Sequence, residues 1–169
     1  MDLTRKISFP SSSQQRTSLW VTRERPKIDR IACPWLVLRF INPDARFLYV
    51  SPGEVLSVAA KTGAIPFDIP GVEYSHRGEL CSFDAFIERH ELDASGLPQL
   101  AAIVRGADTS RPDLTPQSAG LFVISLGLSA MFPDDQEMLR HGLVIYDALY
   151  RWCQSLRTET HNWPPVMPR

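Results

Sequence analysis

The fold class is decided by residues 133–155, PDDQEMLRHGLVIYDALYRWCQS. Pro133 suits the first turn of a helix, and the acidic residues after it suit the positive end of the helix dipole. Apolar residues then fall on most sides of a helix that runs to about Ser155, which is typical of a helix in the core. They are Met138, Leu139, Leu143, Ile145, Tyr146, Leu149, Tyr150 and Trp152.

Capping residues and helical spacing predict more helices upstream. They cover residues 52–62 before Gly63, 83–90 after Ser82 as N-cap, 97–105 before Gly106, and 116–131 after Thr115 as cap. Another helix begins near Ile31 with Pro34 in its first turn, or runs over 34–41 after a short turn, because proline is tolerated only at a helix start. It ends at Asn42–Pro43 in both cases.

Strand signals are few. Residues 19–22 and 45–50 predict strands, and 67–69 and 72–74 are candidates for short ones. The sequence therefore predicts a helix-dominated α+β fold, a single domain with a small β-sheet rather than a doubly wound one. We expect a disordered arm over 1–18, the domain over 19–155 and a tail over 156–169.

Composition limits the functional classes. The net charge is −1, and after residue 30 eleven Lys/Arg face sixteen Asp/Glu, so we expect no direct nucleic-acid binding by this domain. The three cysteines, Cys33, Cys81 and Cys153, form no CxxC pair, which favours a reducing compartment. Neither a signal peptide nor a membrane-length apolar run is evident, so we expect a cytoplasmic protein without membrane contact.

Three strings resemble a known family when they are taken in order. They are WVTRERPKIDRIACPWL (20–36), FDIPGVEYSHRGELCSFDAF (67–86) and IVRGADT (103–109). Together they resemble the C-terminal domain of ChrB-type chromate-resistance proteins, over about Trp20 to Cys153. The resemblance implies a role in chromate resistance, as a sensor or an accessory protein. In that family the domain is found behind a regulatory domain or beside a rhodanese-like sulfurtransferase. Since only about 19 residues precede the match, we expect no DNA-binding domain in this chain.

A first candidate site is an arginine-rich approach to a helix start: Arg23, Arg25, Lys27 and Arg30. Chromate is a tetrahedral dianion, which forked guanidinium donors and free helix N–H groups can hold. The resemblance favours Arg23 and Arg30 as oxyanion-binding residues, with His76 as a hydrogen-bond donor or metal ligand beside them. The alternative is that Arg30 pairs with a carboxylate while the others are solvated. The acidic Asp29 works against an anion at this helix start.

A second candidate site is a loop rich in metal-ligand residue types: Glu73, His76, Glu79, Cys81 and Asp84. Imidazole, carboxylate and thiolate together suit a transition metal such as Zn, Fe or Mn. We predict His76 and Glu79 as ligands, with Asp29 and Cys33 as remote ones, and Asp108 as another residue able to complete the site. A single loop histidine that only forms hydrogen bonds is the alternative.

Cys33 and Asp108 each allow two interpretations. If Pro34 opens the helix, Cys33 lies at its positive end, where a thiol is reactive and able to reduce chromate. Otherwise Cys33 is packed in the core. Asp108 caps a turn after Gly106, or it orients Arg30 or His76.

Three functions follow as hypotheses. The leading one is a domain that senses or binds chromate or a similar oxyanion. The second is a metal-dependent redox enzyme that detoxifies chromate or reactive oxygen, with the metal unknown. The third is a non-catalytic partner of a regulator or sulfurtransferase that docks through the basic residues 1–30. We also consider a homo-oligomer.

Overall fold

A computed structural model of the chain describes residues 18–159. Within this range six α-helices accompany one three-stranded sheet, which confirms the predicted helix-dominated α+β fold. The elements are β1 (Leu19–Arg23), α1 (Asp29–Leu36), a π-helical turn (Val37–Ile41), β2 (Arg46–Val50), a 3-10 turn (Pro52–Glu54), α2 (Val55–Thr62), β3 (Ile65–Pro66), α3 (Ser82–Arg89), α4 (Leu97–Asp108), α5 (Ser118–Met131) and α6 (Asp135–Ser155). The predicted arm apart from Ser18, and residues 160–169 of the predicted tail, lie outside the described range.

The sheet has β1 in the centre, with β2 and β3 as parallel neighbours. Successive side chains of a strand point to opposite faces. Trp20 accordingly joins the main core, whereas Val21 joins a smaller apolar cluster with Val55 of α2. Apolar clusters thus cover both faces of the sheet, so the ends of its strands, where the loops begin, are the accessible parts.

The third strand differs from the prediction. It is Ile65–Pro66, and the chain after it forms only an isolated bridge between Phe67 and Tyr74. Asp68 lies in the left-handed region with φ of 54°, which turns the backbone out of the strand direction. Pro66 is tolerated because β3 is an edge strand.

Helix α1 begins at Asp29, so Pro34 lies inside it rather than in a first turn as predicted. A proline inside a helix leaves the carbonyl four residues earlier without its N–H donor. That carbonyl belongs to Arg30, and the Tyr49 hydroxyl of β2 donates a hydrogen bond to it at 2.8 Å. A tertiary contact therefore replaces the lost helical bond.

Replacing Tyr49 by phenylalanine should lower the free energy of unfolding by about 1 kcal/mol, because a partly buried carbonyl loses its donor. Urea unfolding measures this loss. In a Pro34→Ala background the residue at 34 regains an N–H, so the same Tyr49→Phe change should cost clearly less. Equal losses in both backgrounds would show that the hydroxyl does not replace the helical bond.

Several other helix boundaries depart from the sequence prediction. Helix α5 begins at Ser118 with Gln117 as N-cap rather than at Pro116 after Thr115, and α6 begins at Asp135 rather than at Pro133. Helix α4 continues through Gly106 to Asp108, and Gly106 is needed there because a Cβ would collide with Ser118 and lie 2.8 Å from the Arg111 carbonyl. The N-cap of α3 is Cys81 rather than Ser82, with Asp84 accepting a bond from the Cys81 N–H at 3.0 Å.

Helices α5 and α6 are present as predicted, but α6 buries one side rather than most of its sides. Helix α6 contributes the buried Met138 and Tyr146 to the main core. Helix α5 exposes Phe122, Val123 and Ile124. None of the helices within residues 18–159 combines the length and apolarity that a membrane crossing requires.

Candidate functional site

The ends of several elements meet at one edge of the sheet. Ligand sites of parallel sheets lie at the carboxyl ends of the strands. Arg23 ends β1, and Asp68 follows β3 by two residues. Asp29 opens α1, His76 lies in the loop before α3, and Asp108 ends α4.

Asp68 is the carboxylate that the two arginines of the site share. Its carboxylate accepts a hydrogen bond from Arg23 Nη2 at 2.9 Å and one from Ser82 Oγ at 2.8 Å. Arg30 Nε lies 3.4 Å from the same carboxylate. Burial alone would raise the pKa of Asp68, but hydrogen bonds from His76 and Ser82 and the two guanidinium charges hold it below its usual value. Asp68 is therefore a negative charge at the centre of the site.

Asp29 is a buried carboxylate that caps a second helix. Its Oδ2 accepts hydrogen bonds from the Ser82 N–H at 2.5 Å and the Phe83 N–H at 3.4 Å, at the start of α3. Its Oδ1 is buried and has no hydrogen-bond partner within the described residues. Burial and the charge of Asp108 raise the pKa of Asp29 to about 7.

His76 faces three carboxylates through one nitrogen atom. Its Nε2 lies 2.9 Å from Asp108 Oδ2, 3.5 Å from Asp29 Oδ2 and 3.5 Å from Asp68 Oδ1. Hydrogen bonds to Asp108, Asp29 and Asp68 raise the pKa of His76 to about 12. The imidazole therefore carries a positive charge at neutral pH when only protein groups surround it.

A cavity of about 330 Å³ opens beside these residues, and Arg23, Asp68 and His76 contribute to its lining. The side chains of Arg23 and His76 are 36% and 42% exposed, so both are accessible from the cavity. Arg30 is only 16% exposed, and its Nη1 donates to the Glu24 carbonyl at 2.9 Å. Arg30 thus lies behind the cavity wall.

Comparison with known proteins agrees with the resemblance seen in the three strings. A family model described as ChrB, C-terminal domain, matches residues 20–153. The chain belongs to the ChrB C-terminal domain family. It is also similar to Protein ChrB of Cupriavidus metallidurans, with 28% identity over 146 residues, which cover 86% of this chain and 44% of that protein. The chain thus spans less than half the length of this relative. No solved structure matches it.

In this ChrB C-terminal domain, the three residues predicted to bind an oxyanion come from separate segments and meet around Asp68. Their role remains a prediction. Asp68 was not predicted, because it lies between the apolar Phe67 and Ile69 in a stretch that resembles a strand. The sequence signal that could have identified Asp68 is a carboxylate placed between two apolar residues shortly before Pro70.

Only part of the predicted metal set comes together in the structure. Among the described residues, the group whose ligand atoms lie within 4.8 Å of one another is Asp29, Asp68 and His76. Cys33 is outside this group because α1 begins at Asp29, which places Cys33 one turn inside the helix with its side chain in the core. Burial raises the pKa of the Cys33 thiol well above its usual value, so it is not a reactive thiolate. Glu79 is exposed in the loop and also outside the group.

Two other residues of the predicted sites have contacts elsewhere in the structure. Arg25 donates to the Phe132 and Pro133 carbonyls, between α5 and α6. Glu73 forms an ion pair with Arg89 at 2.7 Å. These side chains make contacts away from the group around Asp68.

Proposed function

We propose that this chain acts in chromate resistance as a domain that binds chromate, or a similar oxyanion, at the cavity lined by Arg23 and His76. The single observation that carries the proposal is that Arg23, Arg30 and His76 converge although they lie on β1, on α1 and in a remote loop. Membership of the ChrB family supports the same conclusion.

The chemistry of the two accessible cations fits a tetrahedral dianion. A guanidinium group offers several N–H donors in a fixed fork, and one imidazolium offers a further charged donor. Arg23 uses its Nη2 for Asp68, while its Nε has no hydrogen-bond partner within the described residues. That Nε is buried, so a ligand would meet the exposed part of the guanidinium, whose side chain is 36% exposed and lines the cavity.

Calorimetric titration of the whole chain with chromate, with sulfate as competitor, tests this proposal. Arg23→Gln should weaken chromate binding about 10- to 100-fold, because a hydrogen bond between charged groups is lost. Arg89→Gln is the matched control, since Arg89 is an exposed arginine paired with Glu73 away from the cavity. The absence of heat with the native chain, or equal affinities of the native chain and the Arg23 variant, would refute the proposal.

A metal-dependent redox enzyme is the second candidate, and the group Asp29, Asp68 and His76 favours it. The buried Cys33 offers no thiol to it, so we expect Cys33→Ser to change stability but not any chromate reduction. The test supplies the metal-loaded chain with an external electron donor such as ascorbate. Failure to accelerate chromate reduction by that donor, together with failure to remove superoxide, would exclude this candidate.

The remaining predictions concern location and partners. A cytoplasmic location, the absence of direct nucleic-acid binding, a regulator or sulfurtransferase as partner, and homo-oligomer formation all stay predictions. The exposed apolar side chains of α5 are the first residues to replace in a test of oligomeric state. Docking through the basic arm involves residues 1–17, which lie outside the described range.

A further inference from the structure

We propose that Asp29, Asp68 and His76 form a binding site for one divalent transition-metal ion. The site differs from the set predicted from the sequence, because it contains Asp68 and excludes Glu79 and Cys33. Asp108 lies beside the same imidazole nitrogen and adds negative charge to the group.

The two distances from the imidazole to the carboxylates fit a shared ion, and all three ligand atoms lie within 4.8 Å of one another. His76 Nε2 is 3.5 Å from Asp29 Oδ2 and 3.5 Å from Asp68 Oδ1. Nitrogen and oxygen ligands held about 2.0–2.2 Å from one ion stand about 3–3.6 Å apart in octahedral or tetrahedral geometry. A single N–H, in contrast, points well at only one of the three carboxylates around it. An ion would satisfy several of them together.

The second observation is the buried carboxylate of Asp29. Its side chain is 1% exposed, and its Oδ1 has no hydrogen-bond partner among residues 18–159. Buried polar atoms are nearly always paired, and an unpaired one calls for an explanation such as a bound ion. Since the other oxygen of Asp29 faces His76, a cation in this group would compensate the buried charge.

The donor set limits the identity of the ion. Two carboxylates and one imidazole suit Mn²⁺, Fe²⁺ or Zn²⁺, whereas an ion that prefers sulfur would need thiolates. His76 and Asp68 also line the cavity, so one side of the site is open to an exchangeable ligand. An open position of this kind distinguishes reactive or ligand-binding metal sites from closed structural ones.

The ion would also add to the positive charge at the cavity. The aspartates of the group partly offset the charges of Arg23, Arg30 and His76. With the ion bound, His76 would be a neutral ligand, and the ion would take over its positive charge beside Arg23. This link to chromate rests on the proposed function, whereas metal binding itself does not.

Titration of the chelator-treated full chain with Co²⁺ alone tests the site, because bound Co²⁺ shows visible absorption bands that report its ligands. Native protein should bind one Co²⁺ per chain. His76→Ala should weaken binding by more than about 100-fold, since even the loss of outer-shell partners costs about 10- to 100-fold. His76 is partly exposed, and circular dichroism checks that the variant folds. Asp68→Asn is the second variant.

Glu79→Gln is the matched control, because Glu79 is an acidic residue of the same loop outside the group, and it should leave the Co²⁺ affinity unchanged. No Co²⁺ binding by the native chain, or equal affinity in the native chain and both site variants, would overturn the site. Chromate titration of Zn²⁺-loaded and metal-free chains separates the two proposals. Metal binding without chromate binding removes the proposed function alone, and chromate binding without metal binding removes the metal site alone.

Discussion

Replacing Asp84 by alanine should destabilise the domain by about 2–4 kcal/mol, because it removes two hydrogen bonds between charged groups and a helix cap. The Asp84 carboxylate receives hydrogen bonds from Arg105 Nε at 2.9 Å and Nη2 at 2.6 Å, and its side chain is only 7% exposed. It also accepts from the Cys81 N–H at the start of α3. The change would therefore leave Arg105 without its carboxylate and open the cap of the helix that follows the His76 loop.

Urea unfolding followed by tryptophan fluorescence measures this loss. Asp113→Ala is the matched control, because Asp113 accepts the same forked pair of hydrogen bonds from Arg111, but at the exposed surface. Exposed ion pairs contribute little to stability. The control should therefore leave the unfolding midpoint almost unchanged, and equal losses in both variants would contradict the importance of burial.

Replacing Trp35 by alanine should cost about 3–5 kcal/mol, the usual range for truncation of a buried tryptophan. Trp35 is completely buried, stacks with Phe83 at a centroid distance of 6.4 Å and packs edge-on against Tyr150 at 5.3 Å. Its Nε1 donates to Asp147 Oδ1 at 2.8 Å. The ring thus joins α1 to α3 and α6, and its loss would leave a cavity between them.

Thermal unfolding of the Trp35 variant, followed by circular dichroism, measures this effect. Val144→Ala on α6 is the control, since Val144 is 64% exposed and its truncation should hardly change the midpoint. Trp35→Phe should lie between the two, because it keeps an aromatic ring and loses the bond to Asp147. A midpoint of Trp35→Ala equal to that of the control would show that the core is not organised around this ring.

The helices could be predicted where local signals suffice. The apolar spacing of residues 133–155 and the acidic first turn correctly predicted α6, because both signals lie within one helix. The start of α1 could not be predicted, since Pro34 is tolerated only through the hydroxyl of Tyr49 on β2. The two-residue β3 is too short to give a pattern.

The site could be predicted only in part for a similar reason. Arg23 and His76 stand in strings that resemble the ChrB family. Asp68 lies 45 residues from Arg23 along the chain, and its direction depends on a left-handed backbone. The two interpretations of Cys33 could not be separated from the sequence, because its position depends on where α1 begins, and the structure confirms the core position. Convergence of remote side chains is a property of the fold and leaves no local spacing in the sequence.

X-ray absorption spectroscopy of the Zn²⁺-loaded chain examines the proposed ion most directly. We expect only nitrogen and oxygen neighbours at about 2.0–2.2 Å, with the outer-shell signature of one imidazole that disappears in His76→Ala. Sulfur at about 2.3 Å, or a spectrum unchanged by loss of His76, would mean that the ion is held elsewhere and that Asp29, Asp68 and His76 only form an ion-pair network.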